Sequence, residues 1–174
     1  MMFKSFIPFA HAKSIYDIDP KFFVKHGVKV LFIDLDNTLD SYKAFYPKAD
    51  AIEYIKRLQD YHITPVVVSN NKGKRVSSYA DGLHIDYVWG AMKPFPKKLR
   101  QEIEKRGLKE DEVMFVGDQM MTDVLAAHNA HIRVILTEKI VKEDQWTTHI
   151  NRLFDRPIRK YHRKRGNLVS WEEK

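Results

Sequence analysis

Residues 30–40 read VLFIDLDNTLD, an apolar run that ends in Asp34 and, two places later, Asp36. Two carboxylates at the end of a buried strand repel each other and are costly unless a cation pairs them. Three more apolar runs end in chemistry-bearing residues: VVV in Ser69-Asn70-Asn71, DYVWGAM in Lys93, and VMFVG in Asp118, with Asp123 just beyond. In an open parallel sheet, ligands bind beyond the carboxyl ends of the strands. Four strand ends would thus bring carboxylates, a lysine and a hydroxyl to one rim. A divalent cation would let the carboxylates coexist, and hard oxygen donors select Mg²⁺.

That set of groups fits phosphoryl transfer. A metal held by Asp34 and Asp118 would neutralise a phosphate oxygen. Asp34 would attack phosphorus as the nucleophile. Asp36 would protonate the leaving alcohol and later take a proton from the hydrolytic water. Ser69 and backbone N–H groups near Leu35 and Asn70 would hold the phosphate oxygens, and Lys93 would balance charge. Dehalogenation is the weaker reading, because it has no leaving alcohol for Asp36 to protonate.

The elements that must position these residues follow from hydrophobic periodicity. Strands are predicted at 29–33, 64–68, 85–89, 113–117 and 132–136, with helices at 50–61, 72–80, 96–106 and 121–130. Gly107 reads as a helix C-cap. Alternation of apolar strands with helices implies a parallel sheet covered on both faces.

DLDNT, SNN, KP and GDQMMTD, in this order and spacing, resemble the four motifs of the haloacid dehalogenase superfamily over about residues 28–137. The resemblance implies a three-layer α/β/α Rossmann-like core and Mg²⁺-dependent phosphatase chemistry. It places metal ligands at the Asp34 side chain, the Asp36 backbone carbonyl and Asp118. Asp123 becomes a further ligand or a group behind the ligands, although an acid in the first turn of a helix is also favoured by the helix dipole. SIYDIDP before the first strand adds a similarity to the YqeG family of subfamily IIIA, related to phosphatidylglycerophosphate phosphatases. The gaps after Asp36 and after Asn70 leave no room for a separate cap domain. An uncapped site resembles family members that act on large substrates or borrow a lid from another subunit.

The 174 residues suit one domain with a real core, and 44% apolar against 30% charged residues marks an ordinary globular chain. With no Cys, disulfides, Cys-bound zinc and thiol catalysis are excluded. No apolar run is long enough to span a membrane. The start is read as part of the mature protein, and the expected location is cytoplasmic. His128 and His131 are expected to be a partly exposed pair without zinc. Phe3, Phe6, Ile7 and Phe9 are expected to pack on the domain or in an oligomer contact rather than in a membrane.

The net charge is +7, and residues 139–174 hold ten Lys/Arg against five acids, or +5. The layout expected is an N-terminal segment 1–27, a core 28–137 and a basic C-terminal tail 139–174. The tail begins as an amphipathic helix (Trp146, Ile150, Leu153, Phe154), and its basic stretch from Arg156 to Arg165 is expected to be solvated or to touch anionic lipid. Nucleic acid is less favoured, for want of a stacking pattern. The leading substrate is a phosphate ester on a phospholipid head group, phosphatidylglycerophosphate, met peripherally at a membrane. The alternatives are a soluble phosphatase of nucleotides, sugar phosphates or phosphoproteins, and a ribosome- or nucleic-acid-binding protein with a vestigial site.

Overall fold

The computed structural model describes residues 4–71, 73–140 and 146–174, with backbone alone over 146–154. Six strands form one sheet: β1 (Ala10–Ala12), β2 (Val30–Asp34), β3 (Thr64–Val68), β4 (Asp86–Val88), β5 (Val113–Gly117) and β6 (Arg133–Thr137). Their order is β1-β6-β5-β2-β3-β4, and every pairing is parallel. β2 and β5 lie side by side at the centre, so Asp34 and Asp118 leave adjacent strands at the same edge.

Side-chain alternation explains why the central strands are apolar throughout. Leu31 and Ile33 of β2 face one core, with Phe22 and Phe23 of α1 (Pro20–Lys25), Tyr54, Ile55 and Leu58 of α2 (Ala49–Asp60), and Val76 and Tyr79 of α3 (Lys74–Leu83). Val30 and Phe32 face the other, with Leu99 and Ile103 of α4 (Lys97–Lys105), Ala126 and Ala127 of α5 (Leu125–Ala130), and Ile158 of α6 (Trp146–Lys164). A strand buried on both faces cannot alternate apolar with polar residues. The three-layer parallel architecture is therefore as the strand pattern predicts, and none of the described connections between strands contains an inserted cap.

At both termini the described chain adds to the core around residues 28–137. In its described part, residues 4–27, the N-terminal segment belongs to the sheet and core. β1 pairs with β6 in register Ala10 to Ile135, and α1 starts with Asp19 accepting from the Lys21 N–H and Pro20 in the first turn. Three residues with His11 in the middle are too short and too polar to read as a strand. Phe9 packs against Phe22 and His26, which is the packing expected of the N-terminal aromatics; Phe3 lies outside the described residues.

The C-terminal segment is likewise no free tail. The helix runs through Pro157 to Lys164, and Asp155, Ile158 and His162 of its inner face are buried. Two of those three are polar, which hides the helical period from hydropathy. Trp171 then packs edge-on against Phe22, with centroids 5.8 Å apart. The expected apolar face of Trp146, Ile150, Leu153 and Phe154 lies outside the described side chains.

Other boundaries move by a few residues. α3 starts at Lys74 with Lys72 outside the described residues, and 120–124 forms a π-helical turn, Met120–Val124, ahead of α5. Leu31 is fully buried at the centre of the sheet. Leu31→Ala is expected to cost about 2–5 kcal/mol, read from urea unfolding, because the helices above it cannot collapse into the gap.

Candidate active site

Asp34, the last residue of β2, is 6% exposed, and its Oδ1 lies 2.6 Å from Nζ of Lys93. The same ammonium reaches Oδ1 of Asp123 at 2.7 Å and donates to the Val68 carbonyl at 3.2 Å. Thr38 donates weakly to Asp34 Oδ2 at 3.4 Å. Burial disfavours a charged Lys93, but Asp123 and Asp34 outweigh burial and hold it protonated beyond the ordinary lysine range. Burial pushes the Asp34 carboxyl well up from the ordinary carboxylate range; Lys93 opposes the rise, and Asp123, Asp118 and Asp36 add to it.

Asp34, Asp118 and Asp123 each offer a carboxylate oxygen, and these atoms lie within 4.8 Å of one another in a buried cluster. Lys93 cancels one of the three negative charges. A buried cluster left with this surplus of negative charge is unfavourable, and a hard divalent cation bound by carboxylate oxygens suits it. The donor set therefore fits Mg²⁺. His128 and His131 are exposed, and no histidine joins the cluster among the described residues.

The chain holds these groups by local hydrogen bonds. Asn70 brackets the Lys93 backbone: its Oδ1 accepts from the Lys93 N–H at 2.7 Å, and its Nδ2 donates to the Lys93 carbonyl at 3.0 Å. Its side chain is thus engaged in placing the lysine. Ser69 is buried, and its Oγ accepts from the Asn71 N–H at 3.1 Å; the hydroxyl keeps a proton to donate. Asp123 sits in the π-helical turn, where its Oδ2 accepts from the Gln119 N–H at 3.0 Å. Single π turns recur at functional sites because they re-aim one side chain.

Asp36 is held apart from this cluster. Its Oδ1 pairs with Arg75 at 2.7 Å, and its Oδ2 accepts from Asn71 Nδ2 at 2.7 Å. Arg75 also donates to the carbonyls of Ser41 and Ala44, at 3.1 and 3.0 Å, and so ties the loop after Asp36 to α3. Sequence reasoning missed both partners. The only local signal was their position around the start of the helix that follows SNN. The SIYDIDP segment also acts on this loop, since the Tyr16 hydroxyl donates to the Leu39 carbonyl.

At Gly117 a Cβ would stand 2.5 Å from the Asp123 carboxylate, so only glycine lets Asp123 turn back against β5. Gly117→Ala is expected to displace Asp123 and to lower both the melting temperature and the Mg²⁺ affinity of a folded variant. Unchanged Mg²⁺ titration in a calorimeter would contradict that.

The haloacid dehalogenase-like hydrolase family model matches residues 3–137. The "Probable phosphatase YqeG" of Bacillus subtilis (strain 168) is 30% identical over 173 residues, which cover 99% of this chain and 100% of that protein. Among solved structures, an uncharacterized protein from Listeria monocytogenes serotype 4b superimposes with a TM-score of 0.54 at 11% identity, covering 67% of this chain and 85% of the other. A putative 3-deoxy-D-manno-octulosonate 8-phosphate phosphatase from Vibrio cholerae gives 0.53 at 15% identity, covering 74% and 78%. These two show a shared fold, and the family match together with the near full-length relative shows the rest: the chain belongs to the haloacid dehalogenase-like hydrolases and is a phosphatase of that family.

Proposed function

We propose that this phosphatase is a single-domain, Mg²⁺-dependent phosphomonoesterase that works through an aspartyl-phosphate and takes phosphatidylglycerophosphate as substrate. The observation that carries the chemistry is the buried group of Asp34, Asp118 and Asp123 around Lys93. Asp34, Asp118, the Asp36 carbonyl and, directly or through its neighbours, Asp123 would hold the Mg²⁺, which supplies charge neutralisation at the phosphate oxygens.

The chain's own residues do the rest. The Asp34 carboxylate attacks phosphorus, a new P–O bond forms, and the ester P–O bond breaks. Asp36 gives its proton to the departing alkoxide, then takes one from the water that cleaves the acyl phosphate. Both oxygens of Asp36 are held in this structure, so each transfer exchanges an Arg75 or Asn71 contact for the reacting oxygen. Ser69 and the N–H groups around Leu35 and Asn70 orient the phosphate. Lys93 keeps positive charge beside the nucleophile and the incoming dianion.

The lipid substrate is supported by the similarity to the YqeG family and by the open rim. The loops that follow β2 and β4 expose Phe45, Tyr46, Met92 and Phe95 by 55, 74, 65 and 64%. Such residues suit a peripheral position at an anionic membrane from the cytoplasmic side. No helix among the described residues is long and apolar enough to cross a membrane.

The test is phosphate release from phosphatidylglycerophosphate in mixed micelles, beside a panel of soluble phosphate esters. Preference for the lipid supports the substrate; preference for a soluble ester refutes it. Asp34→Asn is expected to lower kcat at least about a thousand-fold while leaving the fold intact, since removal of a nucleophile removes the covalent route. EDTA should abolish wild-type turnover, and Mg²⁺ should restore it. Arg75→Ala is expected to lower kcat roughly a hundred-fold for alkyl phosphates and far less for p-nitrophenyl phosphate, whose leaving group needs little protonation. Equal losses on both would show that Arg75 does not serve Asp36.

A further inference from the structure

The family match ends at residue 137, yet α6 reaches the metal-binding loop from beyond it. An Nη of Arg159 donates to the backbone carbonyl of Asp118 at 2.6 Å. The same guanidinium donates to the Thr137 carbonyl at 3.3 Å, at the end of β6. One turn earlier, Asp155 is 3% exposed, and its Oδ1 accepts from the N–H groups of Met120 and Met121.

These contacts account for four backbone groups within residues 118–121. The peptide that joins Asp118 to Gln119 has its carbonyl on Arg159 and its N–H on the Asp123 carboxylate. The next two N–H groups lie on Asp155. The orientation of that one peptide plane sets where the Asp118 side chain departs and where the Asp123 carboxylate is held. Two of the three clustered carboxylates therefore depend on it.

The charge of Arg159 is itself compensated. Glu138 lies 3.1 Å from one Nη, and Asp155 lies 3.6 Å from Nε. The guanidinium thus acts on the loop as a hydrogen-bond donor without presenting a bare positive charge to a bound cation.

We infer that Arg159 and Asp155 on the C-terminal helix are positioning residues that set the Asp118–Asp123 loop for divalent-cation binding. The inference rests on the metal-dependent reading above. Groups behind the ligands change metal affinity by roughly 10–100-fold in other metal sites. The helix is on this account part of the metal site, although its composition resembles a solvated basic face.

The test uses the full chain and Mn²⁺ as the probe, with free Mn²⁺ read by its electron paramagnetic resonance signal. Wild type, Arg159→Ala, Arg159→Lys, Asp155→Asn and Arg163→Ala are titrated alongside apo melting temperatures. Arg163 is 63% exposed and also contacts Glu138, so it controls for charge loss on the same helix. Arg159→Ala is expected to bind Mn²⁺ about ten-fold or more weakly, with Arg159→Lys in between and Arg163→Ala within two-fold of wild type. Should Arg159→Ala fail to fold, the Lys variant and Asp155→Asn decide, each with the loop weakened but the helix retained. Wild-type Mn²⁺ affinity in the folded variants, even with a lowered melting temperature, would overturn the inference and leave a purely structural staple. A wild type that takes up no Mn²⁺ would overturn the metal reading and the inference with it. Uptake by wild type that Arg159→Ala leaves unchanged would overturn the inference alone.

Discussion

An ammonium group buried between two carboxylates sets the terms for the rest of this structure. Lys93 meets Asp34 and Asp123 at 2.6 and 2.7 Å with almost no solvent around any of them. Removing the ammonium would strand both carboxylates in low dielectric, at a cost of about 3–5 kcal/mol, whereas loss of Asp34 alone leaves Lys93 paired with Asp123. Asp118 adds a further carboxylate to the group, so the site retains a demand for positive charge. That demand serves the chemistry, since a phosphoryl group in flight needs charge neutralised beside it.

Keeping like charges together requires a stiff surround, and the sheet supplies it. β2 and β5 are adjacent and buried on both faces, which brings Asp34 and Asp118 to the same edge. Hydrogen bonds from side chain to backbone then set the loops: Asn70 on Lys93, Arg75 on Ser41 and Ala44, and Asp155 and Arg159 on residues 118–121. Each uses a short Asn or Asp side chain or the planar guanidinium of an arginine to satisfy a backbone group that no strand or helix satisfies. The same device also divides the two aspartates of DLD. Asp34 points into the cation-demanding cluster, while Asp36 rests on Arg75 and Asn71.

The termini complete this surround. β1 closes one edge of the sheet, and Tyr16 bonds the loop that follows Asp36. α6 packs Ile158 into one core and Trp171 packs against the other, so that segments of little apolar content become part of the core. The +5 charge of residues 139–174 is partly consumed in these contacts, with Arg159 and Arg163 both on Glu138.

By itself the sequence determined the strand–helix alternation and the residues at the strand ends. Period-two and period-3.6 patterns are local, and a motif such as DLDNT carries its chemistry in adjacent residues. It also made the parallel sheet legible, because strands buried on both faces must be apolar at every position. Only the tertiary structure decided the partners of those residues. Arg75 finds Asp36 across 39 positions of chain, and Arg159 finds the Asp118 carbonyl across 41. Charged side chains at helical spacing look alike whether they face water or a buried carbonyl. The difference lies in what the fold packs against them, which no window of sequence contains.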